Sequence, residues 1–181
     1  MGEEYRFDGG TRGNRRVDLH VRSLSPGGAH SPQERVVDRL EQLDADGAID
    51  AFTLTVWGTR FCPESAARRT DTGQFVAERI DAFEEWASRA GVSLDPVFET
   101  RETGSLVTED AQSAIVLPKM LLVEIDGSKV HHVAPHVADD GPHTIADRLT
   151  TLGRADRQGA DGAIALDSDA LAVPSAGSTQ D

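Results

Sequence analysis

A strand–helix–strand pattern in the first third of the chain constrains the fold more than any other feature. Val17, Leu19 and Val21 alternate with Asp18, His20 and Arg22, the two-residue period of a half-exposed strand. A loop through Pro26, Gly27, Gly28, Ala29 and His30 leads to Ser31-Pro32-Gln33-Glu34. Three signals for a helix start agree there: Ser31 suits the N-cap, Pro32 the first helical position, and Glu34 closes a capping box. Val36, Val37, Leu40 and Leu43 supply the apolar stripe of that helix, and Gly47 ends it. Phe52, Leu54 and Val56 then alternate with Thr53, Thr55 and Trp57 as a second strand. Strands joined through a helix are ordinarily parallel neighbours in one sheet, so an α/β core is expected.

Downstream, Asp71 with Gln74 marks another helix start. Val76, Ile80, Phe83 and Ala87 recur at helical spacing, and Gly91 closes the helix. Val97 to Arg101 reads as a short strand. Ala114 to Ile125 is nearly continuous apolar sequence interrupted by Pro118 and Lys119, as in a buried strand with a proline at its start or at a bulge. Asp126-Gly127 turns the chain into a returning strand from Val130 to Val133, and Thr144 caps a last helix carrying Ile145, Leu149 and Leu152. The predicted class is therefore α/β: a βαβ unit followed by a helix, a β-hairpin and a C-terminal helix. The order resembles a thioredoxin-like arrangement, except that no thiol stands at Gly27-Gly28-Ala29-His30, where the family carries Cys-x-x-Cys. A winged helix-turn-helix is the alternative, with Pro63 to Arg69 as a first helix joined by Thr70-Asp71-Thr72 to the next. Residues 1–14 read as a disordered arm, 15–152 as one domain, and 153–181 as a disordered acidic tail rich in Ala, Gly, Asp and Ser.

Candidate functional side chains are few. Arg60, Arg68 and Arg69 form a local basic cluster and could contact phosphate; the plainer alternative is surface ion pairs with acids such as Glu64 and Asp71. Cys62 lies among those arginines, where a thiolate would be favoured, so it is a redox candidate as well as an incidental cysteine. Four histidines, His131, His132, His136 and His143, fall close together beside Asp139 and Asp140. Of these, His131, His136 and His143 are the candidate metal ligands, although no pair has the i, i+4 helical spacing that makes such a motif specific. Gly27-Gly28 before a helix invites a phosphate-loop reading, but neither GxGxxG nor GxxxxGK[ST] is present. Trp57 and Trp86 read as packing residues. No cofactor is implied.

The charge balance speaks to environment. The 181 residues carry 18 Lys+Arg against 31 Asp+Glu, a formal net charge of -13, and just two lysines, Lys119 and Lys129. Abundant carboxylates, with Arg in place of Lys, suit a surface in concentrated salt, where the Debye length shrinks to about 3 Å at 1 M and self-repulsion is weak. No apolar run nears the ~20 residues that span a bilayer, and no signal segment opens the chain, so a cytoplasmic location is expected. Val21-Arg22-Ser23-Leu24, Val56-Trp57-Gly58, Phe83-Glu84-Glu85-Trp86-Ala87, Ser93-Leu94-Asp95-Pro96-Val97-Phe98 and Val116-Leu117-Pro118 resemble a family of small haloarchaeal proteins labelled as containing a helix-turn-helix domain. The resemblance spans about Val17 to Leu149. It implies a non-enzymatic, DNA-associated regulator of transcription, with DNA or another protein as partner and no membrane. A thioredoxin-like interaction module without the dithiol is the second expectation, and a metal-dependent or single-cysteine enzyme the third.

Overall fold

The computed structural model describes residues 15–24, 31–105 and 108–165. In chain order the elements are β1 (Arg15–Val21), α1 (Pro32–Ala45), β2 (Ala51–Val56), β3 (Arg60–Phe61), a 3-10 turn (Ala66–Arg69), α2 (Asp71–Ala90), β4 (Glu99–Ser105), β5 (Thr108–Val116), β6 (Met120–Asp126), β7 (Lys129–Ala134), β8 (His136–Ala138), β9 (Gly141–His143) and α3 (Ile145–Ala165). The main sheet has the order β2-β1-β6-β7, with β1 parallel to β2, β6 antiparallel to β1, and β7 antiparallel to β6. A second sheet runs β3-β5-β4, and β8 pairs with β9 in a small ribbon. Among the described residues, no helix is long and apolar enough to cross a membrane.

Helices cover both faces of the main sheet. On one face α1 and α3 bring Leu40, Leu43, Ile145, Leu149 and Leu152 against Val17, Leu19, Val21 and Leu122. On the other, α2 packs Val76, Ile80, Phe83 and Trp86 on Leu121, Val123, Ile125 and Val133. Capping residues set the helix starts. Ser31 accepts a hydrogen bond from the Glu34 amide at the head of α1. At α3, Thr144 and Asp147 cap reciprocally: the Asp147 amide donates to Thr144 Oγ1, and the Thr144 amide to the Asp147 carboxylate.

Four sequence readings change. β1 is buried from Val17 to Val21 on both faces rather than half-exposed, because it is a central strand covered on each side. The exposed alternation belongs instead to β2, the sheet edge, where Leu54 and Val56 reach solvent. The apolar run from Ala114 to Ile125 is two strands in different sheets, β5 and β6, broken at Leu117-Pro118-Lys119. Pro118 has no amide to donate to a ladder, and the chain crosses between sheets at that point. Finally, α3 continues through the buried Gly153 to Ala165, past the boundary expected at Leu152. α3 passes beside α1 there, where a Cβ on Gly153 would meet the end of the Arg39 side chain. Asp71 is also one residue late as a cap, since Thr70 accepts from the Gly73 amide. The expected arm at 1–14, the Gly27-Gly28 loop and residues 166–181 of the tail lie outside the described residues.

One buried ion pair joins α3 to the sheet. Arg148 grips Glu124 of β6 in bidentate fashion, Nε to Oε1 and Nη2 to Oε2, the latter at 2.8 Å. The Glu124 side chain is only 2 % exposed, so the carboxylate has little water to fall back on. Arg148→Ala should therefore destabilise the fold by about 3–5 kcal/mol, while a Glu124→Leu/Arg148→Leu double variant recovers most of that loss. Denaturant titration reads both, and a loss below about 1 kcal/mol for Arg148→Ala would show that this pair does not hold α3 in place.

Candidate nucleic-acid interface

The connection between β2 and α2 carries the basic cluster and is tightly built. Trp57 is buried and donates its amide to Val21 O at 3.0 Å, and Gly58 takes φ +89, a backbone that favours glycine. β3 is then anchored by buried Phe61 while its neighbour Arg60 faces solvent. The Cys62 carbonyl accepts from the Ser65 amide (3.2 Å) and hydroxyl (2.9 Å), starting the 3-10 turn. Thr70 closes it: its Oγ1 donates to Ala67 O at 2.6 Å and accepts from the Gly73 amide at 3.1 Å. A Cβ on Gly73 would lie 2.8 Å from Arg68 Cα and well inside contact with the Ala67 carbonyl. Glycine at this position lets the first turn of α2 sit directly on the 3-10 turn.

The result is a rigid, exposed platform. Arg60, Arg68 and Arg69 are all exposed, and their guanidinium groups make no ion pair among the described residues, so the expected pairing with Glu64 or Asp71 is not formed. Arg68 and Arg69 line a shallow hollow of about 350 Å³ with Pro63, Glu64, Ser65 and Ala66. Exposed cations of this kind can meet phosphate oxygens without first leaving acidic partners. α2 itself does not share this character. Its inner face is buried, and its outer face exposes Glu78, Asp81, Glu84 and Glu85. The helix leads into the platform at its N-terminal end only, and the element before it is a four-residue 3-10 turn rather than a full helix. Cys62 is half-buried, and its thiol makes no hydrogen bond among the described residues.

The histidines separate into two groups. His136 and His143 are register partners across β8–β9, their rings stacked at 4.8 Å and 12°. His132 and Trp86 complete an aromatic cluster, with His132–His136 at 5.2 Å and Trp86–His136 at 5.5 Å. Each ring has local work: His136 Nδ1 meets Val133 O at 2.7 Å, and His143 Nε2 meets Asp140 at 2.8 Å. That hydrogen bond holds the Asp140 carboxyl below the usual carboxylate range. Burial, aided by Arg148, lowers the His132 pKa to about 4. His131 stands apart, exposed, with only its carbonyl used by Trp86 Nε1 at 2.8 Å. The set His131, His136 and His143 is thus not brought together, and no group of three potential metal ligands exists among the described residues.

A further titratable residue escapes sequence reading. His20 is fully buried between Trp57 (4.9 Å) and Phe83 (5.7 Å), and neither ring nitrogen has a partner. Trp57 Nε1 beside it is also unpartnered. Burial, reinforced by Arg79, lowers the His20 pKa to about 4. Its place in a polar/apolar alternation hid this, since the alternation signals exposure.

A family model described as a helix-turn-helix domain matches residues 10–157, and the chain belongs to that family. No curated protein and no solved structure matches it.

Two outcomes test the site's construction. Gly73→Ala favours a helix by intrinsic propensity, yet it should destabilise the protein by about 1–3 kcal/mol because the 3-10 turn must move. Thermal unfolding with equal or higher stability would mean the turn is free to shift. For His20, the unfolded chain takes up a proton near pH 6.5 and the folded one only near 4. Stability therefore falls as pH drops through that window, by up to about 1.4 kcal/mol per pH unit for one such group. His132, lowered to the same range, contributes a like slope, so His20→Phe should remove about half of it without loss of stability at pH 7, and an unchanged slope would exonerate His20.

Proposed function

We propose that this member of the helix-turn-helix domain family is a DNA-associated, non-enzymatic regulator of transcription that engages duplex phosphates through Arg60, Arg68 and Arg69. Family membership carries the reading. The exposed arginines, without ion-pair partners among the described residues, support it, because phosphate contacts demand available cations. The acidic outer face of α2 argues against that helix lying along the groove as a reader. The contact we favour is the 3-10 turn with Arg60, at the head of α2. The acidic composition further supports a cytoplasm with concentrated salt, where counterion release contributes less to affinity and close local contacts count for more.

The sheet order favours a second reading. A central strand flanked by one parallel and one antiparallel neighbour, with α1 and α3 on one face and α2 on the other, is what a thioredoxin-like interaction module would have. Cys62, the chain's one cysteine, lies outside the start of α1, so such a module would bind partners without dithiol exchange.

Selection of bound fragments from a random duplex DNA library, in molar potassium chloride, separates the readings. Recovery of duplex DNA above background is expected for the intact chain, with any sequence preference set by duplex shape because phosphate contacts carry no base code, and is expected to fall to background for Arg60→Ala/Arg68→Ala/Arg69→Ala with folding intact. On any bound fragment the triple variant should also flatten the dependence of log affinity on log salt by about 2.7, near 0.9 per phosphate contact. Recovery of no DNA above background by the intact chain would sink the DNA reading and leave the interaction module.

A further inference from the structure

One concavity lies away from the arginine platform. A groove of about 860 Å³ opens where the start of α1, the start of α3 and the Leu117-Pro118-Lys119 crossover meet. That volume falls within the range of small-molecule sites, about 300–1,000 Å³. Its floor is apolar: Leu117, Ile145 and Leu149 are buried, with Val36, Val97 and Met120 half-buried around them. Among the described residues no aromatic ring lines it, and four prolines (Pro32, Pro96, Pro118, Pro135) do. A flexible aliphatic chain would find smooth apolar walls there.

Charge at the groove inverts that of the chain. Arg22, Arg35, Arg39 and Lys119 line it against one carboxylate, Glu99, in a protein whose acids outnumber its bases 31 to 18. Two of the four have structural work. Arg22 donates to Leu117 O through Nε at 3.0 Å and through Nη2, bracing the floor, and Arg39 Nη1 donates to Gln42 at 3.1 Å. Arg35 and Lys119 are exposed and make no side-chain hydrogen bond or ion pair among the described residues. They stand free at the rim of an apolar floor.

We propose that this groove binds an amphipathic organic anion: an aliphatic body on the Leu117–Ile145–Leu149 floor, with a single anionic head met by Arg35 and Lys119. A cationic or neutral amphiphile would share the floor but lose the head contact. The site shares no residue with Arg60, Arg68 or Arg69, so it does not rest on the DNA reading, and its test contains no DNA.

Calorimetric titration of the full chain with decanoate, decyltrimethylammonium and decanol is the experiment, with unfolding temperature followed in parallel. Saturable one-site binding of decanoate is expected, at least tenfold tighter than either analogue. Arg35→Glu/Lys119→Glu should weaken it at least tenfold at unchanged unfolding temperature. Val36→Trp, which crowds the groove from α1, should abolish it. Absence of saturable decanoate binding, equal binding of decyltrimethylammonium, or an unchanged affinity in the charge-reversed variant would each overturn the proposal. So would binding to anionic phosphatidylglycerol vesicles without binding of free decanoate, since that would make the groove a membrane contact rather than a ligand site.

Discussion

Burial of β1 on both faces is the constraint from which the rest of the structure follows. A strand that places Val17, Leu19 and Val21 on one side must place Asp18 and His20 on the other, and both sides are roofed by helices. Each polar side chain then needs an answer. Asp18 is met by Arg16 at 3.3 Å and by Arg79 of α2 at 3.9 Å. Arg79 also lies 5.1 Å over the Phe75 ring, which fixes its direction. His20 has no polar answer and stays neutral among aromatic rings.

Each face of the sheet thus contains one buried carboxylate matched by an arginine from the helix above it. Asp18 takes Arg79 from α2 on one face, and Glu124 takes Arg148 from α3 on the other. Apolar packing would hold either helix down but would allow it to slide by a turn at modest cost. Glu124 does not allow this to α3, because displacement by one turn leaves its carboxylate without Arg148 in a dry setting. That pair therefore acts as a register pin for α3, whereas Asp18 keeps Arg16 of its own strand wherever α2 sits. The start of α3, which walls the groove, inherits that register.

Local chemistry was legible in the sequence wherever it was contiguous. Ser31-Pro32 starts α1, Gly91 ends α2 with φ +69, and Asp126-Gly127 turns between β6 and β7, each at the residue its turn or cap chemistry requires. Readings that depended on neighbours far along the chain went astray. Polar alternation in Val17 to Val21 signals an exposed face only if nothing covers it, and α2, some sixty residues on, does. The unbroken apolar run around Pro118 hid a change of sheet, because both strands are buried for different reasons. Among candidate site residues, Arg60, Arg68 and Arg69 were visible as a cluster because they are close in sequence. The groove cations were not, since Arg22, Arg35, Arg39 and Lys119 come from three separate stretches of chain and meet only in the fold.

Net charge is a poor guide to what such a surface can bind. With a Debye length near 3 Å in molar salt, a carboxylate two side chains away contributes little to the potential at a given guanidinium. Only groups in contact matter, and these are what the fold arranges. At the platform the nearby acid is Glu64, at the groove rim it is Glu99, and in neither place does it pair with the arginines or lysine. Glu99 is instead occupied by Arg101 at 2.9 Å. An overall charge of -13 is therefore compatible with two anion-receptive patches. The two differ in kind, and that difference decides what each accepts. The hollow at the platform has the more polar lining of the two, suited in our reading to a phosphate that stays hydrated, whereas the groove is mainly apolar, and an anion gains there only if it brings an aliphatic body to desolvate with it.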